Sequence, residues 1–233
     1  MTNDRWTIET PDGSFHAHIA RPEGEGPWPV VIAIQEIFGI NDVMREVCAT
    51  LAGHGFLAVA PDLFWRLEPG IELTDRTKAE WDKALGYMNR FDVDKGVDDI
   101  AATIRHARSH GSSTGKVGAV GYCLGGKLAF LTATRTDADG AVGYYGVGLE
   151  ALVGEADKLT KPLMLHIAGQ DSFSSDDARA VVIGAFKDHP LVTLHVYEER
   201  DHAFARPGGE HFHAADAAQA DQRTVDFLKS ALA

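Results

Sequence analysis

The chain is short of positive charge: 22 lysines and arginines face 34 acidic residues, a formal charge of −12 over 233 residues. Non-specific nucleic-acid binding depends on Lys and Arg neutralising phosphates, so that class of partner is excluded, and no basic run restores it. Long apolar runs are missing too. No stretch approaches the roughly 20 apolar residues that span a bilayer, and residues 1–13 lack a cationic segment followed by an apolar core. A membrane partner is therefore not expected, and the cytoplasm is the expected compartment. Cysteine is scarce: Cys48 and Cys123 are the two present, and without a secretory context they read as free thiols rather than a disulfide. Internal repeats, low-complexity blocks and linkers are lacking as well, which leaves a single domain over residues 1–233, long enough to bury a core. Hydrophobic residues at 45% and charged residues at 24% are ordinary globular values and name no function.

What is present is alternation. Short β-branched or aromatic runs alternate with longer helical patterns from end to end, the habit of an α/β fold in which a mostly parallel sheet is flanked by helices on both faces. Strands are predicted at 6–9, 15–20, 30–35, 57–61, 117–122, 141–145, 163–168 and 192–197. The first two flank Pro11-Asp12-Gly13 and read as an antiparallel hairpin at the sheet edge. Helices are predicted at 42–53, 77–88, 94–109, 124–135, 176–187 and 215–232. In the third, Val97, Ile100, Ala101, Ile104 and Ala107 make one apolar stripe. Residues 64–75, with Pro69-Gly70, read as an insertion or loop after a strand, and such loops build sites in this architecture.

The strongest local signal is Gly121-Tyr122-Cys123-Leu124-Gly125-Gly126, a Gly-x-Cys-x-Gly pattern between a predicted strand and a predicted helix. A nucleophile at a sharp strand-to-helix turn occupies strained backbone, and small neighbours permit the close packing that exposes its side chain. The helix N-terminus favours thiolate over thiol, and the amide of Leu124 is placed to donate to an oxyanion. The alternative is a thiol that is simply buried in a tight turn. Cys48 illustrates that case, since Val43, Met44, Val47, Cys48 and Leu51 share one helical face.

A reactive cysteine needs a base, and the base needs an orienting group. Asp171 ends the predicted strand 163–168 in a loop, and His202 follows the strand 192–197 in another. The order nucleophile, acid, histidine is the one α/β-hydrolases use. Among the 11 histidines, His54 ends a helix, His166 lies inside a strand, and His16 and His18 alternate in the hairpin, so these read as structural. His211 and His213 lack a spaced third ligand, and no metal is expected. Asp201, the rival acid, lies beside His202 in sequence and reads as a residue that caps or solvates the loop.

Taken together, Gln35-Glu36-Ile37-Phe38-Gly39, Pro61-Asp62-Leu63, the segment 121–126, Gly169-Gln170-Asp171 and Asp201-His202-Ala203-Phe204 resemble the dienelactone hydrolase (carboxymethylenebutenolidase) family. The resemblance spans nearly the whole chain. It implies a triad of Cys123, His202 and Asp171, an oxyanion hole from the N–H groups of Ile37 and Leu124, and a Glu36 that takes the thiol proton once an anionic substrate arrives. It implies further that Arg206 binds the substrate carboxylate. For a second arginine found in the family prototype, this chain offers Trp81 at the matching region, or Arg76, Lys78 or Lys83 as substitutes. Phe38, Trp81, Tyr87, Tyr145, Phe173 and Phe204 are candidates to line an apolar pocket, against the ordinary alternative of core packing.

The activity implied is hydrolysis of a small anionic lactone, dienelactone to maleylacetate, through a Cys123 thioester, in aromatic or chloroaromatic degradation. No cofactor is required, and a monomer is the favoured state. One alternative is a carboxylesterase for small esters with an altered carboxylate clamp. A class I glutaminase fits poorly, because those enzymes usually place a glutamate two residues after the histidine and position 204 is Phe. A non-catalytic domain using Cys123 as a redox-sensing thiol belongs to a different class, and the retained Asp171 and His202 argue against it.

Overall fold

A computed structural model describes residues 5–233; the first four residues of the stretch read above for a targeting segment lie outside them. Eight strands belong to one mostly parallel sheet, and the chain divides into two compact units, one up to Gly118 and one from Ala119 onward.

In the first unit, β1 (Arg5–Thr10) and β2 (Gly13–Ala20) form the expected antiparallel hairpin, pairing Arg5 with His18 through Thr10 with Gly13. Trp6, Ile8, Phe15, Ala17 and Ile19 are buried while their neighbours face outward, the period-two pattern of a half-covered sheet edge. The hairpin continues antiparallel onto β4 (Leu57–Pro61), which lies parallel to β3 (Trp28–Ile34), in the order β1-β2-β4-β3. All of β4 and most of β3 are buried, as their unbroken apolar runs require. Helix α1 (Asp42–Gly53) packs on β2, β3 and β4, and α3 (Val93–Ser109) on β1, β3 and β4; α2 (Lys78–Arg90) lies between them in sequence. The segment 64–75 is irregular, as expected. It is closed by Asp62, whose carboxylate accepts from the amides of Phe64 (3.1 Å) and Gly70 (2.7 Å).

Strand β5 (Ser113–Tyr122) carries the chain into the second unit. There β6 (Gly140–Tyr144), β7 (Leu163–Ala168) and β8 (Val192–Tyr197) run parallel in that order. Helix α4 (Leu124–Arg135) packs on β6, α5 (Asp176–Phe186) on β8, and α6 (Ala214–Ala231) on β6 and β7. Strand β6 stops one residue short of its predicted end because Tyr145 has φ 37°, outside the extended region. Two short 3-10 segments, Leu149–Ala151 and Val153–Lys158, were not predicted, since neither is long enough to show a period.

Helix starts follow their sequence signals. Asn41, Thr77, Asp92, Ser175 and His213 each accept a first-turn amide of α1, α2, α3, α5 and α6, respectively. Helix α4 is different: its N-cap residue is Cys123, which makes no side-chain cap hydrogen bond. Among the described residues, no helix is long and apolar enough to cross a membrane.

Candidate active site

Cys123 sits where β5 turns into α4, at φ 57° and ψ −115°. Positive φ in a residue with a Cβ costs on the order of 1–3 kcal/mol and persists only when the surroundings fix it. Those surroundings are visible. The Cys123 amide donates to the Tyr144 carbonyl at 3.1 Å, and the Cys123 carbonyl accepts from the amides of Gly126 (3.0 Å) and Lys127 (3.2 Å). An added Cβ at Gly121 would lie 2.0 Å from the Gly125 oxygen, and one at Gly126 2.3 Å from the Tyr144 oxygen. Both contacts are with backbone, so no rotamer change relieves them, and only glycine fits. Leu124 opens α4, placing its amide among the first-turn N–H groups that have no partner inside the helix.

Two loops of the same unit carry the expected acid and base. Asp171 follows β7 and His202 follows β8; both are buried, and Nδ1 of His202 lies 2.9 Å from Oδ2 of Asp171. The other carboxylate oxygen of Asp171 accepts from the Phe173 amide at 2.9 Å. Burial on its own pushes the His202 imidazole down, but hydrogen bonds to Asp171 and to the Cys123 side chain, with the attraction of both charges, outweigh it and hold the group up at about 10. The imidazolium is the form this pocket favours at neutral pH. Tyr145 and Phe173 present ring edges to the imidazole, with centroids 5.1 and 4.8 Å away.

The remaining expected residues fall as follows. Arg206 lies in the turn after His202, its amide donating to the Ala203 carbonyl at 2.9 Å. Phe204 is buried between Tyr145 and Tyr197, with ring centroids at 5.6 and 4.5 Å. In the first unit, Glu36 and Ile37 are both buried just past the end of β3; a glutamate facing solvent is thereby excluded. Phe38 and Trp81 meet edge to face at 5.2 Å. Tyr87 is buried, stacked on Phe64 at 5.4 Å and hydrogen-bonded to Glu68. Lys78 pairs with Asp82 at 2.6 Å and Lys83 with Glu68 at 3.6 Å, so both lysines already have acidic partners. Asp201 caps the loop, as the sequence suggested, through its bond to the His202 amide. Arg179 went unnoticed in the sequence. Its guanidinium donates to the Asp171 carbonyl at 3.0 Å and also reaches the Ser174 carbonyl, and the signal was its place one turn into the helix that follows the acid loop.

Residues 15–232 match the model of the dienelactone hydrolase family. The chain belongs to that family. A dienelactone hydrolase-family relative, the carboxymethylenebutenolidase of Pseudomonas putida, is 40% identical over 228 residues, covering 98% of this chain and 97% of its own. A carboxymethylenebutenolidase-like protein of Azospirillum brasilense is 50% identical over 222 residues, 95% of each chain. Among solved structures, a dienelactone hydrolase-like protein of Klebsiella pneumoniae subsp. pneumoniae superposes with a TM-score of 0.84 at 27% identity over 97% of both chains. Membership of the dienelactone hydrolase family makes this chain a hydrolase with the α/β-hydrolase fold, in agreement with the sheet and helix order above.

Proposed function

We propose that this hydrolase opens a small anionic lactone, dienelactone to maleylacetate, through a thioester on Cys123, and that its place is in aromatic-compound breakdown. One observation carries the reading: a cysteine held at positive φ at an uncapped helix start is hydrogen-bonded to a histidine that a buried aspartate orients. The lactone family is supported by the relatives' names.

In the proposed cycle the Cys123 thiolate attacks the lactone carbonyl carbon, and the carbonyl electron pair moves to oxygen as an oxyanion. The Leu124 amide donates to that oxygen. Collapse of the intermediate breaks the ring C–O bond and releases the ring oxygen as an enolate still tethered to the acyl chain. Acylation also removes the thiolate charge. With it goes part of what holds the His202 proton, which passes to the tethered enolate and leaves a neutral imidazole able to act as a base in the second half of the cycle. A water gives its proton to His202 while its oxygen attacks the thioester, and the Cys123 thiolate leaves. The roles that the family resemblance gives to Glu36 (accepting the thiol proton), to the Ile37 amide (a second oxyanion donor) and to Arg206 (holding the substrate carboxylate) belong to the same proposal.

Trp81 favours a second reading, in which the altered region of the prototype's second arginine redirects the enzyme to small esters. Hydrolysis of cis- and trans-dienelactone and of p-nitrophenyl acetate, for the wild type, Cys123→Ser and Cys123→Ala, tests both. Fast dienelactone turnover lost in Cys123→Ala is the expected result. Ester turnover alone reassigns the substrate, and activity that survives Cys123→Ala overturns the mechanism.

A further inference from the structure

The loops that carry Asp171 and His202 are joined by more than the bond between those two side chains. Beyond the ends of β7 and β8, the Gly169 amide donates to the Tyr197 carbonyl and the Gln170 amide to the Arg200 carbonyl, each at 2.8 Å. The next such donor is the Ser172 amide, and its acceptor is a side chain, Oδ1 of Asp201, at 2.7 Å. The same oxygen accepts from the His202 amide at 2.6 Å. A carboxylate oxygen has lone pairs for two donors and here stands where the strand ladder has run out of backbone carbonyls. One atom therefore ties the residue after the acid to the base itself.

We infer that Asp201 is a positioning residue for the proposed triad, a staple whose single oxygen sets the separation of the Asp171 and His202 backbones. The inference rests on the triad reading above. Burial pushes the Asp201 carboxyl up, but the two amide bonds, a hydrogen bond from the Ser172 side chain and the nearby His211 together outweigh it and hold the group as the carboxylate. The His211 ring also stands near, its Nε2 3.7 Å from Oδ2, the oxygen that the two amides do not use. What the staple needs is an acceptor at that point, and the negative charge is secondary. This separates it from an electrostatic role, in which Asp201 would act as a spare acid for the imidazolium.

Three substitutions distinguish the two roles. Asp201→Asn keeps an oxygen acceptor and loses the charge, Asp201→Glu keeps the charge and displaces the acceptor by a methylene, and Asp201→Ala loses both. For a staple, Asp201→Asn stays close to wild type. Asp201→Glu and Asp201→Ala then lose kcat by about 10- to 100-fold with little change in KM, the size of effect that a misplacement near 1 Å produces. Their His202 titration, followed by NMR of the ring, also falls from about 10 toward 6.5 as the bond to Asp171 loosens. Near-wild-type activity and titration in Asp201→Glu, with losses in Asp201→Asn, overturn the inference in favour of a charge effect; wild-type behaviour in all three overturns it outright. Cys123→Ala, measured beside them, separates the two claims. If it is dead while the Asp201 variants are unaffected, only the staple fails, and if it remains active the triad reading fails first.

Discussion

Two imidazoles lie buried in the second unit, on parallel strands or the loops that follow them, and they settle in opposite charge states. His202 meets a carboxylate and a thiol and is held up at about 10. His166, on β7, has hydroxyls at both ring nitrogens: Nδ1 lies 2.9 Å from the Tyr197 oxygen and Nε2 3.1 Å from Oγ1 of Thr224. Burial pushes His166 down, the positive side chain of Arg223 and the nearby His195 push the same way, and its titration falls well below the usual value. Burial acts in the same direction on both rings. Partners decide the outcome: a group that carries negative charge retains the proton, whereas hydroxyls satisfy the neutral ring without paying for a charge. The neutral ring anchors a wider net, since Thr224 also meets the Tyr144 hydroxyl at 2.6 Å, and Tyr144 donates to Asp221 at 3.0 Å. Tyr144 is the residue whose carbonyl receives the Cys123 amide.

The comparison breaks if the two histidines prove interchangeable in their effects. The largest difference is expected in turnover. Replacing His202 with Asn lowers kcat/KM by on the order of 10³-fold per folded molecule, as steady-state ester or lactone kinetics on a correctly folded sample will report. For His166→Leu the pattern reverses. Two hydroxyls each lose one of their partners, costing about 1–3 kcal/mol of stability in urea unfolding, with turnover per folded molecule close to wild type. Should His166→Leu abolish turnover in a folded protein, the division between a charged working ring and a neutral anchoring ring is wrong.

A smaller effect sharpens the contrast. The folded state binds the His202 proton more tightly than the unfolded chain, so this group's contribution is complete below 6.5 and is lost as pH rises toward about 10. His166 has the opposite sign. Its folded form stays neutral while the unfolded chain takes up a proton, so its contribution is complete above 6.5 and is lost as pH falls below that value. Urea midpoints across this range are expected to decline on both sides. His202→Asn flattens the alkaline limb alone, and His166→Leu the acid limb alone.

Much of this architecture is legible in the amino-acid sequence. Strands 57–61, 163–168 and 192–197 and helices 42–53 and 124–135 have the same bounds in the sequence pattern as in the structure; 57–61 ends at Pro61, 163–168 lies between Pro162 and Gly169, and 42–53 runs from the cap Asn41 to Gly53. Cys123, Asp171 and His202 were legible for a related reason, each standing just past a strand in a loop. The buried net around His166 was not, because Tyr144 and Tyr197 at inward strand positions look like ordinary core, and nothing local says that their hydroxyls find Thr224, Asp221 or Arg223. For Arg179 the place one turn into the helix after the acid loop is visible, but its acceptor, a backbone carbonyl eight residues earlier, has no sequence signature.

The tight approach of Gly121 and Gly126 to neighbouring backbone carries a consequence for selection experiments. In a saturation library scored by turnover, both positions will tolerate no other residue and will rank with Cys123 itself, although a glycine has no side chain to offer a substrate. A ranking by intolerance will thus draw the active centre larger than the chemistry requires. Scoring the same library a second time for folded protein will separate residues proposed to react from those that make room for them.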